Sequence, residues 1–364
     1  MTAQKLSNKG KSPITLIIFT VISLITLPAQ AALLISSGGD NSIKQYDETT
    51  GAYIRDFVTS GSGGLSNPQG LTFGSNGNLY VSSSDTNSVK EYNGTTGEYI
   101  GDFVSSSSGL LTPQGLSFTD DGSLFVTSQR IPDADAGQGV ENTLSSGLLQ
   151  YNGATGEFLG SIATVISGLA AGSIPIPQDV VFGGPDSTLF VGRGIFRRNS
   201  GSISEYEPIT GTAIERDYTF SEIKVSSPID PNGLAISDNF LFYTDSSAVG
   251  RYDLINREID ELFVDIDSGG LNEAVDVAIG ANGNLFVSSS GNNSVKQYDG
   301  QTGDFLGDFI VSGSGGLSSP TYLITANVPV PEPSSVLGIV AMGGLFVGSA
   351  LQRQRNNRKK QPLN

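Results

Sequence analysis

The sequence predicts an all-β protein, a six-bladed β-propeller of four-stranded antiparallel blades whose first blade is closed by the C-terminal strand. Three observations carry this expectation. One phrase recurs as PQGLTF at Pro68, PQGLSF at Pro113, PQDVVF at Pro177, PNGLAI at Pro231, AVDVAI at Ala274 and PTYLIT at Pro320, at spacings of 45, 64, 54, 43 and 46 residues. A period near 40–50 residues with several short strands per unit marks a propeller. Glycine makes up 47 of the 364 residues, roughly twice the usual ~7%, so turns are frequent. The two ends of the array are each incomplete, and each supplies what the other lacks.

Within the unit at 68–104, alternation and turn chemistry place the elements. A first strand covers Gly70 to Phe73, and Asn76-Gly77 suits a tight hairpin because both residues tolerate positive φ. Asn78 to Ser82 form the second strand, Ser88 to Tyr92 the third and Glu98 to Val104 the fourth, with a Gly-containing turn before the last. Leu71, Phe73, Leu79, Val81, Tyr92 and Phe103 fall where neighbouring blades pack together. At the front, LLISSGGDNSIKQYDETTGAYIRDFV from Leu33 reads as strands two to four with no first strand. At the back, Thr321 to Ala326 read as a first strand with nothing following. Joining them closes the ring and removes an exposed sheet edge.

The chain carries a formal charge of -16, and its bases cluster at the ends: Lys5, Lys9 and Lys11, then Arg353, Arg355, Arg358, Lys359 and Lys360. Residues 33–331 hold 35 acids against 12 bases. That balance excludes nucleic acid as a partner, because such binding neutralises phosphates. Without cysteine, an exported form has no disulfides and depends on its core. Without histidine or cysteine there is no Ser-His-Asp triad, thiol nucleophile or ordinary zinc site. Carboxylate chemistry, Ser-Lys pairs and a calcium site with oxygen ligands remain.

The first 31 residues read as a signal peptide: a basic start, an apolar run over 14–27 and an Ala-x-Ala site ending at Ala31. The run is shorter than the roughly 17–25 residues of a membrane span. The propeller is expected over 32–328, and 329–364 form a separate C-terminal segment.

Loop lengths single out one sector. From second to third strand takes 8 residues from Val81 to Val89, but 22 from Val126 to Leu148 and 12 from Val191 to Ile203. The links after these two blades are also long, so one face of the third and fourth blades is built up, the usual mark of a binding face. That sector carries Arg130, Arg193, Arg197 and Arg198, next to Gln69, Gln114, Gln178 and Asn232 at the heads of the inner strands. Guanidinium and amide groups around a cavity suit hydroxyls and carboxylates, so a glycan or acidic sugar is a candidate ligand. The alternative for the amides is strand-end capping. Asp133 and Asp135 stand at alternate positions before Gly137, as oxygen ligands for calcium can, or as a solvated acidic loop. No catalytic set stands out.

The phrases P-x-G-φ-x-φ, G-x-φ-φ-V and S-V-K-x-Y resemble NHL-type repeats over nearly the whole middle of the chain. The stretch from Pro231 to Ile236, with LFYTDS at 241–246, resembles gluconolactonase-like propellers. That resemblance implies Asn232 as a calcium ligand and a calcium-dependent lactonase or related hydrolase as the alternative function. The family's catalytic Asp falls on Val275, a departure from its pattern. Pro331-Glu332-Pro333, the apolar segment 336–351 and the basic tail resemble a PEP-CTERM sorting signal. It implies recognition by an exosortase, transient membrane association through the C-terminal helix, and a surface or extracellular destination. The leading expectation is an exported, non-enzymatic binding or structural module whose partner is an extracellular polysaccharide or a surface protein.

Overall fold

The computed structural model describes residues 29–131, 145–163, 174–196, 201–206, 213–219, 231–237 and 239–329. They form six four-stranded antiparallel sheets. The first blade contains β1 (Ala29–Ser37), β2 (Ser42–Asp47) and β3 (Tyr53–Val58). The second has β4 (Pro68–Phe73), β5 (Leu79–Ser83), β6 (Ser88–Tyr92) and β7 (Tyr99–Val104). The third has β8 (Pro113–Phe118), β9 (Ser123–Ile131), β10 (Ser145–Asn152) and β11 (Phe158–Ala163). In the fourth are β12 (Ile174–Gly183), β13 (Thr188–Phe196), β14 (Gly201–Tyr206) and β15 (Ala213–Thr219). The fifth holds β16 (Leu234–Ser237), β17 (Phe240–Asp245), β18 (Ala248–Asp253) and β19 (Ile259–Val264). The sixth has β20 (Ala274–Ile279), β21 (Leu285–Ser289), β22 (Ser294–Tyr298) and β23 (Phe305–Ile310), after which β24 (Pro320–Pro329) returns to the first blade.

The first sheet runs β24-β1-β2-β3, so the closing strand is the inner strand of the first blade, as the complementary ends predict. Its register extends from Ser37 opposite Pro320 back to Ala29 opposite Pro329. The strand therefore begins inside the Ala-x-Ala stretch, three residues ahead of the expected cut after Ala31.

Apolar residues gather at the blade-to-blade contacts. Leu34, Ile43 and Val58 of the first blade meet Leu71, Leu79, Val81 and Tyr92 of the second. Tyr80, Val89 and Val104 of the second meet Leu116, Leu124 and Val126 of the third, with Phe103 packed against them. Each remaining contact, through to the sixth blade against the first, has a cluster of the same kind. Period-2 alternation gives every blade two apolar faces, and stacking buries both.

The repeated polar letters fasten these contacts. The Asn of the N-S-φ-K phrase takes positive φ at Asn41, Asn87 and Asn293. Its side-chain carbonyl accepts the amide of the residue just ahead of the next inner strand: Asn67 (2.7 Å), Thr112 (2.8 Å) and Ser319 (2.6 Å). The Tyr ending each S-φ-K-x-Y phrase donates to the preceding Ser-Gly-Gly turn, Tyr46 to Ser314, Tyr92 to Ser62 and Tyr298 to Ser268. Gly63 in one such turn has φ of 63°, and a Cβ there would stand 2.2 Å from the Tyr99 ring.

Two ends of the ring can be distinguished. Inner strands begin at the entry face, where second and third strands are joined; they end at the exit face, where first and second strands are joined. In the third and fourth blades the strands run long toward the entry face: Ile131 pairs with Ser145, and Ile174 with Phe196. By contrast, β5 and β6 stop at Ser83 and Ser88.

Candidate functional site

The inner strands carry an irregular pairing near their third residue, between Pro68 and Leu71, Pro113 and Leu116, Pro177 and Asp179, and Ala274 and Val277. Such bulges re-aim the backbone. In these four strands the third residue, Gly70, Gly115, Asp179 or Asp276, lies against the next blade. In ring order the third residues of the six inner strands are Tyr322, Gly70, Gly115, Asp179, Gly233 and Asp276. Close approach imposes the glycines: a Cβ on Gly115 would stand 2.7 Å from the Asp179 Cα, and one on Gly233 2.4 Å from the Asp276 Cα.

The three side chains in this layer tie inner strands together. Asp179 Oδ2 accepts the Leu234 amide at 2.8 Å, and its Oδ1 the Val180 amide at 2.8 Å. Asp276 Oδ2 accepts the Leu323 amide at 3.0 Å, so each carboxyl bonds the fourth residue of the following inner strand. The Tyr322 hydroxyl crosses the axis to the Gln178 carbonyl at 2.8 Å, joining the first blade to the fourth. Ser36 and Thr127, on second strands, donate to the Gln69 and Gln178 carbonyls of the blades that follow.

Both carboxyls are removed from water, Asp179 at 5% exposure and Asp276 at 4%. Burial pushes Asp179 up to about 7 against the pull of its two amide donors. Asp276 lies well above the usual carboxylate range, first through burial and then through the charge of Asp179. Tyr322 is raised by burial and by both carboxyls. Asp276 Oδ1 has no well-formed hydrogen bond, although the adjoining Val277 amide pulls the carboxyl's pKa down. On the exit side of this layer lies a cavity of about 290 Å³, lined by Asp179, Asp276 and Tyr322 and by both polar residues, Thr72, Ser117 and Thr325, and apolar ones such as Val181 and Ile324.

The residues expected from sequence occupy the entry side. Gln69 Nε2 donates to Asn67 Oδ1 at 2.8 Å. Gln114 Nε2 reaches the Thr112 carbonyl at 3.3 Å and Ser84 Oγ at 3.4 Å. Gln178 Oε1 accepts from Gln129 at 3.3 Å, and Asn232 Nδ2 reaches the Ala274 carbonyl at 3.4 Å. Gln69 and Gln114 thus bond beside their own strand ends, while Gln178 and Asn232 bond residues of the neighbouring blades. Arg193 is 1% exposed inside the fourth blade. It donates to the Tyr206 hydroxyl at 2.8 Å and lies over that ring at 5.7 Å. The Arg130 side chain lies outside the described residues, as do Arg197, Arg198, Asp133 and Asp135, and the motif Pro331, Glu332 and Pro333.

Asp179, Asp276 and Tyr322 were not singled out by sequence reasoning. Their signal is the third letter of the recurring phrase, which is Gly in three inner strands and Asp, Asp and Tyr in the others.

Among solved structures, the chain is similar to a chain of a nidogen/laminin complex at 14% identity, covering 81% of this chain and 98% of that one with a TM-score of 0.58. It is also similar to a protein of unknown function from Bacteroides caccae, at 14% identity, 82% and 99% coverage and a TM-score of 0.55. A third likeness is to virginiamycin B lyase from Staphylococcus aureus, at 14% identity, 76% and 82% coverage and a TM-score of 0.50. No protein-family model matches the chain, and no curated protein matches it by sequence. At this identity the likenesses establish the propeller fold that the repeats predict, and that alone.

Proposed function

We propose that the chain is an exported, non-enzymatic binding or structural module. Its third- and fourth-blade sector meets an extracellular polysaccharide, acidic sugar or surface protein. One observation carries this reading: the backbones of β9, β10, β12 and β13 extend past their neighbours toward the entry face, raising that sector above the ring. Binding loops on a rigid scaffold follow the same plan. The solved nidogen/laminin complex is a precedent for a propeller-like chain within an assembly. In this reading the segment from Pro331 onward is a PEP-CTERM-type signal handled by an exosortase, with transient membrane association before delivery to the surface.

The test is a screen of carboxylated oligosaccharides against the full chain and a variant with Arg197→Ala and Arg198→Ala. Retention by the first and loss by the second is the expected result; identical profiles would remove the assignment of this face. For sorting, the surface form should have a mass lacking the Arg-rich tail.

One observation favours a second reading, a calcium-dependent lactonase or related hydrolase. Two carboxyls with raised pKa beside a cavity is a setting in which general acid–base groups occur. Calcium-dependent turnover of a lactone, lost in Asn232→Ala, would replace the binding reading.

A further inference from the structure

The end of the closing strand is held by residues that stand ahead of the expected cut after Ala31. In β24, Asn327 pairs with Ala31, Val328 with Gln30 and Pro329 with Ala29. The Ala31 carbonyl accepts the Glu48 amide at 3.2 Å, so the backbone groups of Ala31 point away from β24. Neighbouring residues of a strand point theirs to opposite sides, so Gln30 turns its N–H and C=O toward Val328. As the inner strand, β24 lies at the edge of its sheet, and this stretch has no second ladder to hold it. Asn327 is exposed, whereas Val328 is 1% exposed in the cluster between the first and second blades.

We propose that Ala29 to Ala31 are a strap over the end of β24, and that a cut after Ala31 unfastens Asn327 to Pro329 just ahead of Pro331. The inference rests on the export and sorting readings given above. The cut removes Gln30, and the N–H and C=O of Val328 then find partners only by turning to water. The Val328 side chain opposes this movement, but burying one valine does not outweigh the entropy of ordering three residues that have lost their ladder bonds. Ala326 keeps its partner Ala32, so the opening stops there. The freed residues lead directly into Pro331-Glu332-Pro333. An enzyme that takes a peptide by strand addition needs an extended backbone with free N–H and C=O groups. The uncut chain withholds that backbone and the cut chain offers it, so the N-terminal end is processed first and the C-terminal end second.

Amide hydrogen exchange, read by mass spectrometry on the full chain and on the chain that starts at Ala32, tests the strap. The expected outcome is exchange at least about tenfold faster over residues 327–329 in the shorter chain, with residues 321–325 unchanged. Gln30→Pro in the full chain removes the donor to Val328 without a cut and should open the same three residues. Equal protection of 327–329 in the full and shorter chains would overturn the proposal, as would protection that survives Gln30→Pro. Loss of protection along the whole of β24 would also overturn it, because the first residues would then support ring closure and not the strand end alone. The export reading is measured separately by the first residue of the exported chain: a start ahead of Ala29 refutes that reading, whereas the exchange comparison refutes or supports the strap itself.

Discussion

The side-chain carbonyl of Asn87 accepts the Thr112 amide at 2.8 Å, and both residues lie at positive φ, 52° and 39°. The turn inside one blade thereby sets the backbone just before the inner strand of the next. Asn tolerates the left-handed region better than other residues with a side chain, and its amide group supplies the bond. Asn87→Ala should cost about 2 kcal/mol, combining a lost hydrogen bond with left-handed strain. Asn87→Gly should recover the conformational part only. Urea unfolding midpoints of the two variants against wild type measure the separation.

Glycine at position 115 makes a different prediction. A Cβ there meets the backbone of the next inner strand, which has no flexible end to yield. Gly115→Ala should destabilise by roughly 1–3 kcal/mol or more, as overpacking does. Gly101, in the outer strand β7, has open space around a Cβ. Gly101→Ala should be neutral or slightly stabilising. Thermal midpoints that fall equally for both would contradict the axial packing described above.

The axial carboxyls set the direction of the pH response. In the unfolded chain an Asp titrates near 3.9; in the folded chain Asp179 titrates at about 7. Between these values the native state holds a proton that the unfolded state has released, so stability falls as pH rises through this window and levels off above it. Asp276→Asn replaces one of the two raised carboxyls with a group that does not titrate, and its urea midpoint should decline less between pH 5 and pH 8 than that of the wild type. A wild-type midpoint that rises over that range would show that the pair is ionised in the fold.

The architecture was legible because its period is written in residues that contact the next repeat. The N-S-φ-K-x-Y phrase looked like strand patterning, and its Asn and Tyr proved to be fasteners between blades. The complementary ends gave the closing strand, although β24 runs on to Pro329 where the expected strand stopped at Ala326. The axial layer was harder to read. The polar second letter of the inner-strand phrase carries amides that bond at the strand ends or to the neighbouring blade. The bulge moves the consequential position to the third letter, and a bulge has no residue-level signature in a single inner strand. Arg193 shows a related limit of linear reading: loop length placed it in the expanded sector, while strand alternation directs its side chain into the fourth blade against Tyr206.

The closing strand also affects how the molecule is made. Thr321 and Ser36, 285 residues apart, are neighbours across its first pairing. During synthesis, β1 emerges early and must wait without its inner partner until nearly the whole chain exists. Joining ends so distant costs about 5 kcal/mol in loop entropy beyond a constant term. That cost is offset only when the last strand docks against both the first blade and the sixth. The ring should therefore close late and slowly, the mark of a high contact order, with the open edge of β1 exposed to other chains during the interval.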